Sequence, residues 1–255
     1  MLGIYLSGTG NTKHCVEKFV HMLDENAEVM PLEETHVLER ISKEKCIVLG
    51  YPTQFSNAPM MVRDFIKSNR DLWAGKEIFC INTMGAFSGD GTGCSARLLK
   101  KYGATILGGL QIKMPDSVCD SKLLKKSRER NRSIIQDADD KIEKWVIQIK
   151  NGIYPQEGLK PIDHVKGLFG QRLWYYGKTA KYSCQIKIND NCIGCGLCVQ
   201  ECPMNNLVQE QNGRKKPTQK GKCTMCYRCI SRCPKQAITL HGKDVIEQTR
   251  YEKFL

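Results

Sequence analysis

The sequence holds no apolar run approaching the ~18 residues of a membrane-spanning helix. It opens on no basic-then-apolar leader either: the apolar stretch over 2–6 is too short and reads as a strand. With neither leader nor span, the expected location is the cytoplasm. No low-complexity segment interrupts the chain. Acid is scarce beside base, 27 Asp+Glu against 39 Lys+Arg, and the formal charge is +12. Such a balance suits nucleic acid or an anionic protein surface, but no helix-turn-helix pattern speaks for the first.

Two nucleotide-binding loops are also missing. A Walker loop needs Gly-x4-Gly-Lys-Ser/Thr; Gly3 and Gly8 have that spacing, but Thr9 stands where the lysine belongs. A dinucleotide fingerprint needs a third glycine; Gly8 and Gly10 fit, and Lys13 takes the last position. What remains, Ser7-Gly8-Thr9-Gly10-Asn11-Thr12, offers hydroxyls and backbone N–H groups at the start of a helix. That chemistry suits a terminal monophosphate and needs no metal.

What the chain has in plenty is cysteine, 14 in 255 residues. In a cytoplasmic chain of this size cysteine points to metal rather than to disulfides. Cys192-x2-Cys195-x2-Cys198-x3-Cys202-Pro203 recurs 31 residues later as Cys223-x2-Cys226-x2-Cys229-x3-Cys233-Pro234. Structural zinc modules use separated Cys-x2-Cys pairs, so two four-cysteine zinc sites fit the pattern poorly. Between the copies, Asn212-Gly213 is a hairpin turn signal.

Elsewhere strand and helix signals alternate. Strands are expected over 2–6, 28–32, 45–50, 77–82 and 104–112, and helices over 12–23, 59–66, 92–101 and 121–150. In the last helix Ile135, Ala138, Ile142, Trp145 and Ile149 repeat at three and four. Five alternating strands predict an α/β fold, a doubly wound parallel sheet covered on both faces. Residues 1–150 form this unit. Residues 151–183, rich in glycine and in Phe169, Trp174, Tyr175 and Tyr176, read as a connector that packs between domains. Its stretch 167–182, basic and aromatic, also has the composition of a membrane-surface helix. Residues 184–255 form the second unit, with short strands over 185–188 and 237–240; it carries 12 Lys+Arg against 6 Asp+Glu.

The doubled cysteine motif resembles that of bacterial two-cluster ferredoxins. The loop Ser7–Thr12 is similar to the FMN-phosphate loop of flavodoxins. The whole chain resembles the flavodoxin–ferredoxin fusion proteins of anaerobic bacteria and archaea. That resemblance implies sheet order 2-1-3-4-5 in the first unit and a small α+β ferredoxin as the second. It implies two [4Fe-4S] clusters with crossed ligands: Cys192, Cys195, Cys198 and Cys233 on one, Cys223, Cys226, Cys229 and Cys202 on the other. It implies FMN held by Ser7, Gly8, Thr9, Gly10, Asn11 and Thr12. The flavin ring would lie between Pro52, Thr53, Gln54, Phe55 and Asn57 and a second loop of Thr83, Met84, Gly85, Ala86, Phe87 and Gly89. The Trp/Tyr pair usual in flavodoxins is absent from both loops, and Phe55 and Phe87 are the nearest substitutes.

The implied function is electron transfer in anaerobic metabolism, coupling one-electron clusters to FMN; the alternative is an FMN-dependent reductase of a quinone, metal complex or cobalamin. Two oxidised clusters and a phosphate, about −2 each, offset roughly half of the positive charge, which removes most of the case for nucleic acid. The implied partners are redox proteins with acidic docking surfaces. Cys15, Cys46 and Cys80 read as structural thiols; Cys94 follows the second flavin loop. His14 reads as a helix-surface residue, and the basic run over 125–132 as a solvated face or a docking site.

Overall fold

The computed structural model describes residues 1–209, 216–240 and 242–255, and within 173–182 not the side chains of Tyr176, Lys178 and Ala180; the Asn212-Gly213 turn lies outside the described residues. Mostly apolar runs form the strands β1 (Leu2–Tyr5), β2 (Glu28–Pro31), β3 (Cys46–Pro52), β4 (Glu77–Met84) and β5 (Thr105–Lys113). All pair in parallel, in the order β2-β1-β3-β4-β5. The helices are α1 (Asn11–Leu23), α2 (Val37–Lys43), α3 (Met60–Ser68), α4 (Gly91–Lys101) and α5 (Arg128–Lys150). Successive side chains of a strand point to opposite faces, and β4 shows it: Ile78 and Cys80 join the core under α2–α4, while Phe79 and Ile81 join the core under α1 and α5.

Two elements depart from expectation. Helix α2 was not anticipated; its seven residues bury only Val37 and Ile41, too little apolar pattern to stand out. The long helix starts at Arg128, not at 121. The Ser127 hydroxyl caps it by accepting the Arg130 N–H at 3.2 Å, and a residue that favours a cap ends the helix toward the N-terminus. Trp145 and Ile149 sit at the core's rim, and Ile134 and Val146 complete the buried stripe.

The connector is two-part. Residues 154–159 run beside the outer strand of the sheet, where Gly109 N–H donates to Pro155 O at 2.8 Å and Glu157 N–H to Gly109 O at 2.9 Å. A Cβ on Gly108 or Gly109 would stand 2.8 or 2.7 Å from those backbones, so glycine is needed there. Next come α6 (Pro161–Gly167), a π-turn over Leu168–Arg172 and α7 (Leu173–Tyr182).

The second unit pairs β6 (Ile186–Ile188) with β9 (Ile238–Leu240), and β7 (Leu207–Val208) with β8 (Thr218–Gln219), both antiparallel. Its helices are α8 (Leu197–Gln200) and α9 (Arg228–Arg232). The repeat is visible in the backbone. Left-handed residues occur at Gly194, Gly196 and Asn205, and again 31 positions on at Met225, Tyr227 and Gln236.

The C-terminal segment, grouped by sequence with the second unit, returns to the first. Phe254 is buried in the core under α1 and α5. Arg132 donates to Phe254 O and Leu255 O, both at 2.9 Å, and Lys125 to Thr249 Oγ1 at 2.6 Å. The basic run over 125–132 therefore anchors the chain's own tail. His14, expected on the surface, is partly buried: it pairs with Asp139 at 2.7 Å and stacks on Tyr251 at 4.3 Å.

Candidate functional site

Parallel α/β sheets bind ligands beyond the C-terminal ends of their strands. There the loops after β1, β3, β4 and β5 enclose a cleft of about 310 Å³. Ser7, Gly8, Thr9, Asn11, Thr12, Pro52, Thr53, Gln54, Phe55, Thr83, Met84, Gly85, Ala86 and Phe87 line it. Gly10, Asn57 and Gly89 do not. Gly10, at φ 91°, turns the chain into α1 and lies under Tyr251. Asn57 holds its own loop, its N–H donating to Gln54 O at 3.0 Å and its side-chain Oδ1 accepting the Ala58 N–H. Gly89 packs on Gly167, whose Cα is 2.5 Å from where a Cβ would be. These three shape the loops from behind.

The cradle over 7–12 is braced from outside: Thr9 Oγ1 pairs with Ser117 Oγ at 2.9 Å, Thr12 Oγ1 with Thr83 Oγ1 at 2.8 Å, and Asn11 Nδ2 donates to Pro115 O at 2.7 Å. The Ser7 hydroxyl and Asn11 Oδ1 are buried and have no partner among the described residues. Buried polar atoms are rarely left unpaired. A phosphate accepting from Ser7 and from the first N–H groups of α1 fits that cradle, and no acid occupies the helix's first turn to oppose it. Asn82 Oδ1 ties both ring loops together, accepting from Thr53 Oγ1 and Ser88 Oγ, each at 2.5 Å.

Besides Leu124, sequence reasoning missed three segments that contribute to the cleft. The first is the segment after β5, Met114 to Val118. Asp116 reaches across to Gly85, and burial raises its carboxyl above the usual range, against Val118 N–H, Lys125 and Lys126. The second is the connector, through Gln171 and Tyr182. The third is the cluster loop itself: Met225, Cys226 and Tyr227. Position beyond a fifth strand end could have signalled the first; the other two depend on how the units dock.

The eight motif cysteines separate into two cavities. One is lined by Cys202, Cys223, Cys226 and Cys229, and the other by Cys192, Cys195, Cys198 and Cys233. Each set takes its fourth thiol from the other copy of the motif. Backbone N–H groups meet the sulfurs in matching fashion: Gly194 to Cys192 and Met225 to Cys223, Asn206 to Cys202 and Ala237 to Cys233. Burial first, then Cys192, Cys233 and Cys195, push the Cys198 thiol up to about 11. Burial first, then Cys226, push Cys223 up to about 12. Four such thiols held as thiolates need a cationic centre among them, as an iron–sulfur cube provides.

The two sites share a wall. Cys226 and its neighbours Met225 and Tyr227 line both the first cysteine cavity and the cleft. Polar contacts seat the wall. Gln54 Nε2 donates to Thr224 O at 2.7 Å, Arg228 Nη2 donates to Ser7 O at 2.8 Å, and Arg228 pairs with Glu33 at 2.6 Å. The connector's aromatics were expected to do this docking. Phe169 and Trp174 are instead exposed and Tyr175 stacks on Phe55 at 5.9 Å; Tyr176 lies outside the described side chains. What docks the connector is charge: buried Asp90 meets Arg172, Arg97 (2.5 Å) and His164 (2.9 Å).

Sheet, cradle and paired thiol cages together define a protein built to carry a flavin and iron–sulfur clusters. A flavodoxin domain model matches residues 2–142 and a 4Fe-4S dicluster domain model residues 191–238. The chain belongs to the flavodoxin family and carries a 4Fe-4S dicluster domain in addition. The first domain implies FMN and the second implies 4Fe-4S clusters. A ferredoxin of Pyrobaculum islandicum is 37% identical over 62 residues, which is 24% of this chain and 57% of that one. An uncharacterised protein of Methanocaldococcus jannaschii is 36% identical over 55 residues, 22% of this chain and 21% of that one. The matched stretch thus spans under two thirds of either relative. Among solved structures, Megasphaera elsdenii flavodoxin is 25% identical with a TM-score of 0.41, covering 49% of this chain and 95% of its own. Among the described residues no helix is long and apolar enough to cross a membrane.

Proposed function

We propose that this chain relays electrons within itself, between two clusters and FMN, as a converter between one-electron and two-electron carriers. The clusters exchange one electron each and FMN one or two; the protein supplies position and environment. The observation that carries the reading is the shared wall. Cys226 belongs to one thiol cage and lines the cleft, so the cage of Cys202, Cys223, Cys226 and Cys229 is proximal to the flavin site. The cage of Cys192, Cys195, Cys198 and Cys233 is distal. Its Cys195 is exposed and Ile193 beside it is 58% exposed, which suits exchange with an external protein.

In this reading Ser7, Gly8, Thr9, Asn11 and Thr12 hold the phosphate, and the loops of Gln54, Phe55, Met84, Gly85 and Phe87 hold the ring. Gly10, Asn57 and Gly89 keep those loops in shape. The domains divide near 150 and 184, with the C-terminal segment over 246–255 belonging structurally to the first. Lys235 at the distal cage, with Lys220 and Lys222 after β8, favours an acidic partner on this face of the second unit. The proposed setting is cytoplasmic, and anaerobic because a cluster site as open as that of Cys195 would meet oxygen.

A second reading has its own support. Ala86 and Phe87 are exposed at the cleft's mouth, so a small acceptor such as a quinone, metal complex or cobalamin could meet the flavin there. Anaerobic purification with cofactor analysis tests the main reading: FMN to iron at about 1:8 supports it, and a different ratio contradicts it. Turnover with a defined small acceptor distinguishes the second.

A further inference from the structure

The helical connector over 161–182 is built inside out. Three polar side chains face the protein: His164 and Arg172 on buried Asp90, and Gln171 on Ser56 Oγ at 3.0 Å. Its apolar ones face outward. Ile162 is 55% exposed, Val165 47%, Phe169 61%, Leu173 56% and Trp174 67%. The first four recur at three and four residues, a single stripe roughly 17 Å long at helical rise. At its middle it joins the flavin site: a Cβ on Gly170 would be 3.2 Å from Phe87, itself 43% exposed at the cleft's mouth. A contiguous apolar surface of this kind marks an interaction site rather than a chance exposure.

Charge decides what covers it. Residues 160–182 hold five basic groups, Lys160, Lys166, Arg172, Lys178 and Lys181, and one acid, Asp163. Lys160, Lys166 and Lys181 are exposed. Leucine, phenylalanine and tryptophan outward, flanked by lysine, is the make-up of a helix lying in a bilayer interface.

We propose that this stripe rests on the surface of an anionic lipid bilayer, peripheral rather than spanning, with the flavin cleft's mouth at the lipid boundary. Apolar burial and attraction of lysines to anionic headgroups act together. The proposal stands on the helix alone and not on the electron path, so binding and redox assays fail separately.

The test is co-sedimentation of the full, cofactor-loaded protein with vesicles of phosphatidylglycerol and phosphatidylcholine, and with phosphatidylcholine alone. Expected is binding to the mixed vesicles, weaker on phosphatidylcholine and weakened by salt. The double variant Phe169→Ser/Leu173→Ser should bind at least ~10-fold less with unchanged flavin and iron content. Equal sedimentation of parent and double variant would overturn the proposal. So would a parent that fails to bind vesicles but self-associates through the stripe, seen as a dimer in velocity sedimentation that the double variant abolishes.

Discussion

Gly8 is the residue at which the two cofactor sites touch. A Cβ there would stand 1.7 Å from Cys226 O. Gly8→Ala must push the cluster loop away, at a cost of about 1–3 kcal/mol. The expected outcome, read from flavin and iron content of the purified variant, is loss of flavin with iron retained. Met225 and Tyr227 take left-handed conformations, at φ 54° and 61°, where the first motif copy has Gly194 and Gly196. Side chains at such positions carry strain of about 1 kcal/mol or more, and both line the cleft. Met225→Gly should therefore leave the unfolding free energy within about 1 kcal/mol of the parent while weakening flavin affinity, measured by flavin titration.

Asp116 supplies a pH dependence. Burial raises its folded carboxyl above the ordinary value of 3.8, so the folded state holds that proton more tightly than the unfolded chain. This contribution to stability is present below the ordinary value and is lost as pH rises through the raised one. Asp116→Asn should flatten that fall in flavin-free protein, followed by denaturant unfolding across pH. The cradle and the cysteine sets were legible because local spacing carries their chemistry. Asp116 and Met225 were not: what makes each matter is a neighbour far along the chain, Gly85 for one and the cleft for the other.

Among elements, the connector is where expectation and structure differ most. Composition suggested a connector over 151–183 that docks through its aromatics, whereas Phe169 and Trp174 are exposed. The docking is ionic, through an Asp90 that is 0% exposed, and an ion pair between residues 90 and 172 leaves no trace in periodicity. Asp90→Asn leaves Arg172 beside a neutral amide; breaking a buried pair in this way costs about 3–5 kcal/mol. Faster amide exchange over 161–182 and around Ser56, which also accepts from Arg172 through its carbonyl at 2.6 Å, is the expected result. The sheet was legible because buried parallel strands read as continuous apolar runs, whereas α2 and the cap at Ser127 were set by short-range packing and hydrogen bonding.

At the scale of the whole molecule, the cluster unit is held by the first unit on two sides. Gln54 and Arg228 fasten the cluster loop, and the C-terminal segment runs back over the cradle, with Tyr251 N–H donating to Thr9 O at 2.8 Å. On the proposed relay, this arrangement makes electron passage between the proximal cage and the flavin site intramolecular. The most direct test loads the clusters with electrons anaerobically and follows bleaching of the flavin at several protein concentrations. A first-order rate independent of concentration, lost when Cys223→Ala removes a proximal ligand, is the predicted result. A rate that rises in proportion to protein concentration, or one unchanged in Cys223→Ala, would contradict the account.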